Sequence, residues 1–209
     1  MCIRDSLVSV YIWSVYTECL HGMPSKCPIR VAVPVNLRPY FNSITTKNFF
    51  VMVSAEFHPT KETYTFAEVA AIVKESLRSQ INRENLEKLF SYNVSNEKLL
   101  IARVVPLFLK NLAMKYVYTT SALANTATIT NIGNISVTEE YRPYVEMFHA
   151  FLAMSKGQHL KGTICSYGDT LVFSFSYDLV DASVQRGFFR KIASDGIAVE
   201  IKSNGVNYE

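Results

Sequence analysis

The chain has 209 residues, 49% of them hydrophobic and 19% charged, which excludes a disordered chain and allows one large domain with a substantial core. A net charge of +3 without a basic stripe excludes the electrostatic footprint of a nucleic-acid binder, and no apolar run reaches the roughly 18 residues of a membrane span. Cys2, Cys19, Cys27 and Cys165 have no metal-ligand spacing, so neither a metal nor a disulfide framework is expected and a reduced cytoplasm fits.

The first six residues, Met1–Ser6 (MCIRDS), read as the translation of a transposon adapter end used in preparing sequencing libraries. They are therefore expected to be a scar outside the fold, and the chain is expected to be the back part of a longer protein. Leu7–His21 is predicted to be a helix, because Val8, Ile12, Val15, Tyr16 and Cys19 share one face at helical spacing. Its apolar surface around Ile12, Trp13 and Tyr16 is expected to be exposed where another lobe once packed. Gly22, Pro24 and Pro28 end it.

Ile29–Val35 reads as a short strand, and Pro34 within it predicts an edge or a bulge. Asn48–Phe57 is a second, nearly continuous apolar strand. Thr65-x-x-Glu68 forms a capping box that opens a helix with Val69, Ile72, Val73 and Leu77 on its buried face. Helical stretches follow from about Asn82 to Tyr92 and from about Asn96 to Ser121, the latter interrupted at Pro106. Four strands are then predicted, over Thr126–Val137, Glu146–Ser155, Lys161–Tyr167 and Thr170–Leu179. Gly168-Asp169 turns a hairpin between the last two. Asp181 caps a final helix to Ser194, Gly196 ends it, and Ala198–Asn204 closes as a strand. Strands and helices mix without strict alternation. The predicted class is α/β, a two-layer sandwich with a mixed, mostly antiparallel sheet and helices on one face.

Each of the four histidines, His21, His58, His149 and His159, has an unremarkable sequence setting, and no G-x-S-x-G elbow or phosphate-cradling glycine loop is present. Two stretches are better candidates. In "VPVNLRPYFNSITTKNFF" a strand leads into a polar loop carrying Asn36 and a buried-looking Arg38, and the next strand begins at Asn48. In "ATITNIG" a strand ends in Thr130, Asn131 and Gly133, a hydroxyl and an amide that can be aimed into a cleft. Read from residues alone, loop anchoring by satisfied polar groups is the plainer reading of both stretches.

"PVNLRPYF…TKNFF", "ATITNIG" and "GTICSYGDTLVFSFSYDL" together resemble the second half of bacterial alcohol-acetyltransferase-like and condensation-domain-like proteins. These belong to the CoA-dependent acyltransferase superfamily, which includes chloramphenicol acetyltransferase. The resemblance implies that residues 28–209 form a C-terminal acyltransferase-like lobe, with residues 7–27 a helix and linker closing a preceding lobe. It implies acyl-CoA as cosubstrate, no covalently bound cofactor, and a small alcohol or amine as acceptor, free or carrier-protein-bound. Thr130 would donate to the oxyanion, with Asn36, Arg38, Asn48, Asn131, Gly133, Ser166 and Tyr167 lining the substrate site.

The general base of the family, the second histidine of His-His-x-x-x-Asp-Gly, is absent. His58-x-x-x-Glu62 comes nearest, but it has the wrong acid and no following glycine. Where one-lobed relatives carry their histidine after a late strand, this chain reads Tyr177-Asp178-Leu179. The chain alone is therefore expected to be inactive. The alternative is a degenerate, non-catalytic domain that binds a carrier protein or partner subunit.

Overall fold

A computed structural model describes residues 3–98 and 105–204. Helix α1 (Ile3–Ser14) runs on into one π-helical turn (Val15–Cys19). There follow β1 (Ile29–Asn36), β2 (Phe50–Phe57), α2 (Phe66–Gln80), α3 (Arg83–Lys98), α4 (Leu107–Leu123), β3 (Ala127–Asn134), β4 (Leu160–Tyr167), β5 (Thr170–Tyr177) and α5 (Ser183–Ser194). The strands form one sheet in the order β2-β1-β3-β4-β5. The outer pairs, β1–β2 and β4–β5, are long antiparallel ladders, and the inner pairs, β1–β3 and β3–β4, are parallel. The architecture is the expected two-layer α/β sandwich.

Period-two alternation decides the two faces of the sheet. Val31, Val33 and Val35 of β1, Val51, Val53, Ala55 and Phe57 of β2, Ala127 and Ile129 of β3, and Leu160 and Ile164 of β4 turn inward and are buried. Against them lie α1, α2 and α5, through Val8, Tyr11, Ile12, Val69, Val73, Leu77, Val184 and Phe188. The predicted capping box of α2 is present: Thr65 Oγ1 accepts the Glu68 N–H, and the Glu68 carboxylate accepts the Thr65 N–H at 2.8 Å. Carboxyl hydrogen bonds of this kind hold Glu68 below its usual range. The edge of β2 is also closed by α2. Ser54 donates its N–H to Gln80 Oε1 and accepts from Gln80 Nε2, while Glu56 N–H donates to Ser76 Oγ. Side chains thus take the place of a further strand on an otherwise open edge.

Several sequence expectations are corrected here. Ile12 and Tyr16 are not exposed but buried at the centre of the core, because α1 packs on α2, α5 and β1. Helix α1 lies in the helical layer over this sheet. Ile3–Ser6 form the first turn of α1, where Asp5 pairs with Arg4 and its carbonyl accepts the Ser9 hydroxyl. Ile72 sits at the edge of the buried stripe of α2 and is 39% exposed. The N-cap position of α5 is Ala182. Asp181 lies one residue earlier and accepts from the Ser183 N–H and hydroxyl, which lowers its carboxyl pKa. Pro106 immediately precedes α4 as its starting punctuation, and the predicted helix over residues 99–104 lies outside the described residues.

Ala198–Asn204 forms no strand, nor does Glu146–Met154. The latter segment instead crosses the open face of β4. Lys161 reaches up from β4 to donate to the Ala153 carbonyl and the Ser155 hydroxyl, both at 2.7 Å, and Cys165 Sγ donates to the Phe148 carbonyl at 3.2 Å. Tyr167 stacks edge-on against Phe148. The alternating Phe148, Ala150 and Leu152 suit a strand, but both ladder positions beside β4 are already taken by β3 and β5. The segment therefore lies across the sheet as a strap.

Candidate functional site

A cleft of about 420 Å³ opens on the face of the sheet away from the helices, at the C-terminal ends of β1 and β3. Its origin is legible in one residue. Arg30 turns its backbone toward the β3 side, accepting the Thr126 N–H through its carbonyl and donating its own N–H to Thr126 Oγ1. Pro34, four residues on, turns the same edge that way and has no N–H to give. The β1–β3 ladder accordingly ends at Ala32 and Thr128. Clefts at the carboxyl ends of diverging parallel strands are the usual binding place in α/β sheets. Proline here belongs to an interior strand, at the point where its pairing stops, rather than to a sheet edge.

The cleft wall from β1 is Pro34 and Asn36, and that from β3 is Thr128, Thr130 and Asn131. Phe50 and Met52 of β2 and Leu152 of the strap form an apolar side. The rim is the loop between β1 and β2, with Arg38, Thr46, Lys47 and Asn48. Arg38 is exposed, not buried as its sequence setting suggested. Its Nη2 donates to the carbonyls of Thr45 and Lys47, each at 2.9 Å, while Asn36 Oδ1 accepts the Arg38 N–H at 3.1 Å. This pair anchors the rim loop, as the plainer reading of that stretch required.

Thr130 differs. Among the described residues no hydrogen bond engages its hydroxyl, and Arg38 spends its donors elsewhere. Its register partner on β4, Thr163, is buried with a hydroxyl that also has no partner among the described residues. Beyond Thr130 the β3–β4 register shifts between Asn131 and Gly133, so that Ile132 is the extra residue of a bulge. Asn131 Oδ1 accepts the Gly133 N–H at 2.9 Å, and Gly133 has φ +87°, a region that favours glycine. The bulge re-aims the strand end just past the hydroxyl.

Five of the eight candidate residues, Asn36, Arg38, Asn48, Thr130 and Asn131, line one cleft. Gly133 shapes it through the bulge. Ser166 and Tyr167 do not line it: the Ser166 carbonyl accepts the Ile135 N–H, and Tyr167 lies under the strap. Lys47 and the apolar trio of Phe50, Met52 and Leu152 were missed by sequence reasoning. The outward positions of β2, alternating with buried Val51 and Val53, carried a signal for two of them; nothing local pointed to Leu152.

No histidine lines the cleft. His58 donates through Nε2 to the Ser25 carbonyl, and His159 donates through Nδ1 to the Asp178 carboxylate at 3.0 Å. The His149 ring lies parallel to that of Phe151, and His21 ends its helix at φ 52°. Among the described residues the lining contains two cations and no carboxylate. It offers hydroxyl and amide donors but no group to take a proton at neutral pH. Among the described residues no helix is long and apolar enough to cross a membrane, and no cluster of three or more metal-ligating side chains occurs.

No protein-family model matches the chain, and no curated protein matches it. Among solved structures it is similar to the epimerization domain from the third module of tyrocidine synthetase B. The TM-score is 0.55 at 10% identity, with 93% of this chain and 42% of that one covered. A second similarity is to a structure describing condensation domain-mediated chain release from the enacyloxin polyketide synthase. There the TM-score is 0.45 at 9% identity, covering 97% of this chain and 38% of that one. The chain thus spans less than half the length of both. The first likeness is one of fold alone, a mixed five-stranded sheet with helices.

Proposed function

We propose that the chain is one lobe of a CoA-dependent acyltransferase-like protein, and that its cleft forms one wall of an acyl-transfer site. The observation that carries this reading is the unengaged Thr130 hydroxyl, on a strand end re-aimed by a bulge, in a cleft of diverging parallel strands. In the reaction, an acceptor oxygen or nitrogen attacks the thioester carbonyl. The new C–O or C–N bond forms, the C–S bond breaks, and the thiol leaves. The acceptor's proton passes to a base, which the cleft lining does not contain and a companion lobe would supply. Thr130 donates to the carbonyl oxygen as it becomes an oxyanion, and Asn131 and Gly133 hold the strand end in place. Loss of one such donor can cost about 2.7–4 kcal/mol of transition-state stabilisation.

The second reading, a non-catalytic domain that binds a carrier protein or partner subunit, is favoured by one observation, the absence of histidine and carboxylate from the cleft lining. The two separate by experiment. The chain alone is expected to release no thiol from acetyl-CoA with alcohols or amines, because a missing general base removes roughly 10²–10⁴-fold. A CoA trifluoromethyl ketone, whose hydrate mimics the tetrahedral oxyanion, is expected to bind more tightly than acetyl-CoA. Thr130→Val is expected to weaken the ketone at least about tenfold while sparing acetyl-CoA. Equal loss for both ligands, or none, removes Thr130 from the chemistry and leaves the binding reading.

A further inference from the structure

The charge of the cleft is one-sided. Arg38 and Lys47 stand on its rim, no carboxylate is in its lining, and neither cation is in a salt bridge among the described residues. Arg38 is fixed by its own loop, with Nη2 given to two carbonyls. Lys47 contributes only backbone groups to that loop, its N–H to Thr45 Oγ1 and its carbonyl to Arg38, so its ammonium is uncommitted. Facing this rim, Phe50, Met52 and Leu152 offer an apolar wall.

The sheet register sets the spacing. The β1–β3 offset that pairs Ala32 with Thr128 brings Pro34 level with Thr130. Asn36, two residues on and paired with Phe50, lies about 7 Å further along the strand. Arg38 and Lys47 lie on the loop that follows Asn36. The pantetheine arm of a CoA thioester carries two amides that need polar partners when they leave water, whereas the wall facing the cations is apolar. An aliphatic spacer fits that wall better.

We propose that the cleft selects a short anionic acceptor: a hydroxy or amino compound with an aliphatic spacer ending in a carboxylate or phosphate. The anion pairs with Lys47 in the positive field of the loop-bound Arg38, the spacer lies on Phe50, Met52 and Leu152, and the nucleophile reaches the level of Thr130. This rests on the acyl-transfer reading for the role of the nucleophile, but the binding site stands on the cleft itself.

The test is calorimetry on the full chain at low salt, where exposed cations are least screened. The ligands are ω-hydroxyhexanoate, hydroxyhexyl phosphate, neutral hexanediol and inorganic phosphate. At least one hydroxy anion is expected to bind about tenfold or more tightly than hexanediol and than inorganic phosphate, and the better of the two anions identifies the head group. Lys47→Met is expected to weaken that ligand about five- to tenfold without changing hexanediol or the melting temperature. Equal binding of hexanediol, an unchanged Lys47→Met, or inorganic phosphate binding as well as the long ligand each overturns the proposal. So does a Lys47→Met loss that falls on acetyl-CoA but not on acetyl-pantetheine, because the rim then holds a CoA phosphate. Failure of anion binding with a Thr130-dependent ketone complex refutes the acceptor class and leaves acyl transfer standing.

Discussion

Gly162 tests how tightly the aromatic layer of this lobe is closed. It lies on the inner face of β4, between Ile129 of β3 and the Phe173 ring of β5. A Cβ added there would sit 2.8 Å from Phe173 Cζ and 3.1 Å from Ile129 Cγ1. Ordinary carbon contacts lie near 3.5–4.0 Å, so the ring must retreat by roughly 0.7 Å or more. The half-buried ring is hemmed in on two sides: its centroid is 4.4 Å from that of Phe188 and 4.7 Å from that of Phe175, and Phe188 is fully buried. Overpacking of this kind costs about 1–3 kcal/mol. Replacing glycine by alanine also restricts the unfolded chain, which returns about 0.4–1 kcal/mol. Taking the middle of each range, the net expectation for Gly162→Ala is about 1.3 kcal/mol of lost stability. For a chain of this size that lowers the melting temperature by about 3–5 °C. The assay is urea unfolding followed by circular dichroism, with a lowered midpoint at unchanged slope. Phe173→Leu shortens the obstructing side chain, so the double variant is expected to be more stable than the two single losses predict. A neutral or stabilising Gly162→Ala, or strict additivity with Phe173→Leu, would show that the ring yields freely and refute the argument.

The capping box makes α2 sensitive to acid. The Glu68 pKa is depressed in the folded state, so the stabilisation is present above the ordinary glutamate range and lost as pH falls through the lower folded value. Carboxyl-carbon NMR titration is expected to show Glu68 below the usual glutamate range, held there first by the Thr65 N–H and then by its hydroxyl; Thr65→Ala keeps the N–H and is expected to return Glu68 only part of the way, and an ordinary glutamate titration in the parent chain would refute the capping argument. Cys165 is buried, and burial pushes its thiol pKa up, so it is expected to alkylate far more slowly than exposed Cys27 until the chain is unfolded. Mass spectrometry of labelled peptides reads this directly, and equal rates would mean that the strap does not shield β4. Helix α4 exposes Leu107, Phe108, Leu112, Met114 and Tyr116, each by more than 60%, so concentration-dependent association is expected. Light scattering on Leu112→Glu and Tyr116→Glu is expected to show less of it, and a clean monomer at high concentration in the parent chain would contradict the reasoning.

The amino-acid sequence by itself determined the elements whose signals are local. The strands β1, β2, β4 and β5 follow from alternation or an apolar run. The capping box of α2 needs only Thr65 and Glu68, and the β4–β5 hairpin needs only Gly168, whose φ of +56° closes the turn between Tyr167 and Thr170. The candidate motifs around Asn36 and Thr130 were legible because polar residues end otherwise apolar strands there. Tertiary structure decided what depends on partners distant in the chain. Alternation in Phe148–Leu152 predicted a strand, but a strand needs a free ladder position, and β3 and β5 leave none beside β4. The apolar face of α1 looked like a surface for another lobe, yet α2, α5 and β1 bury it. Arg38 looked buried in the sequence, and it proved to be an exposed staple for its own loop. Local patterns state which groups must be satisfied. Which partner satisfies them, and hence that Asn36, Thr130 and Leu152 meet in one cleft while Ser166 and Tyr167 stay out of it, depends on strand order and register, and those follow only from packing the whole chain at once.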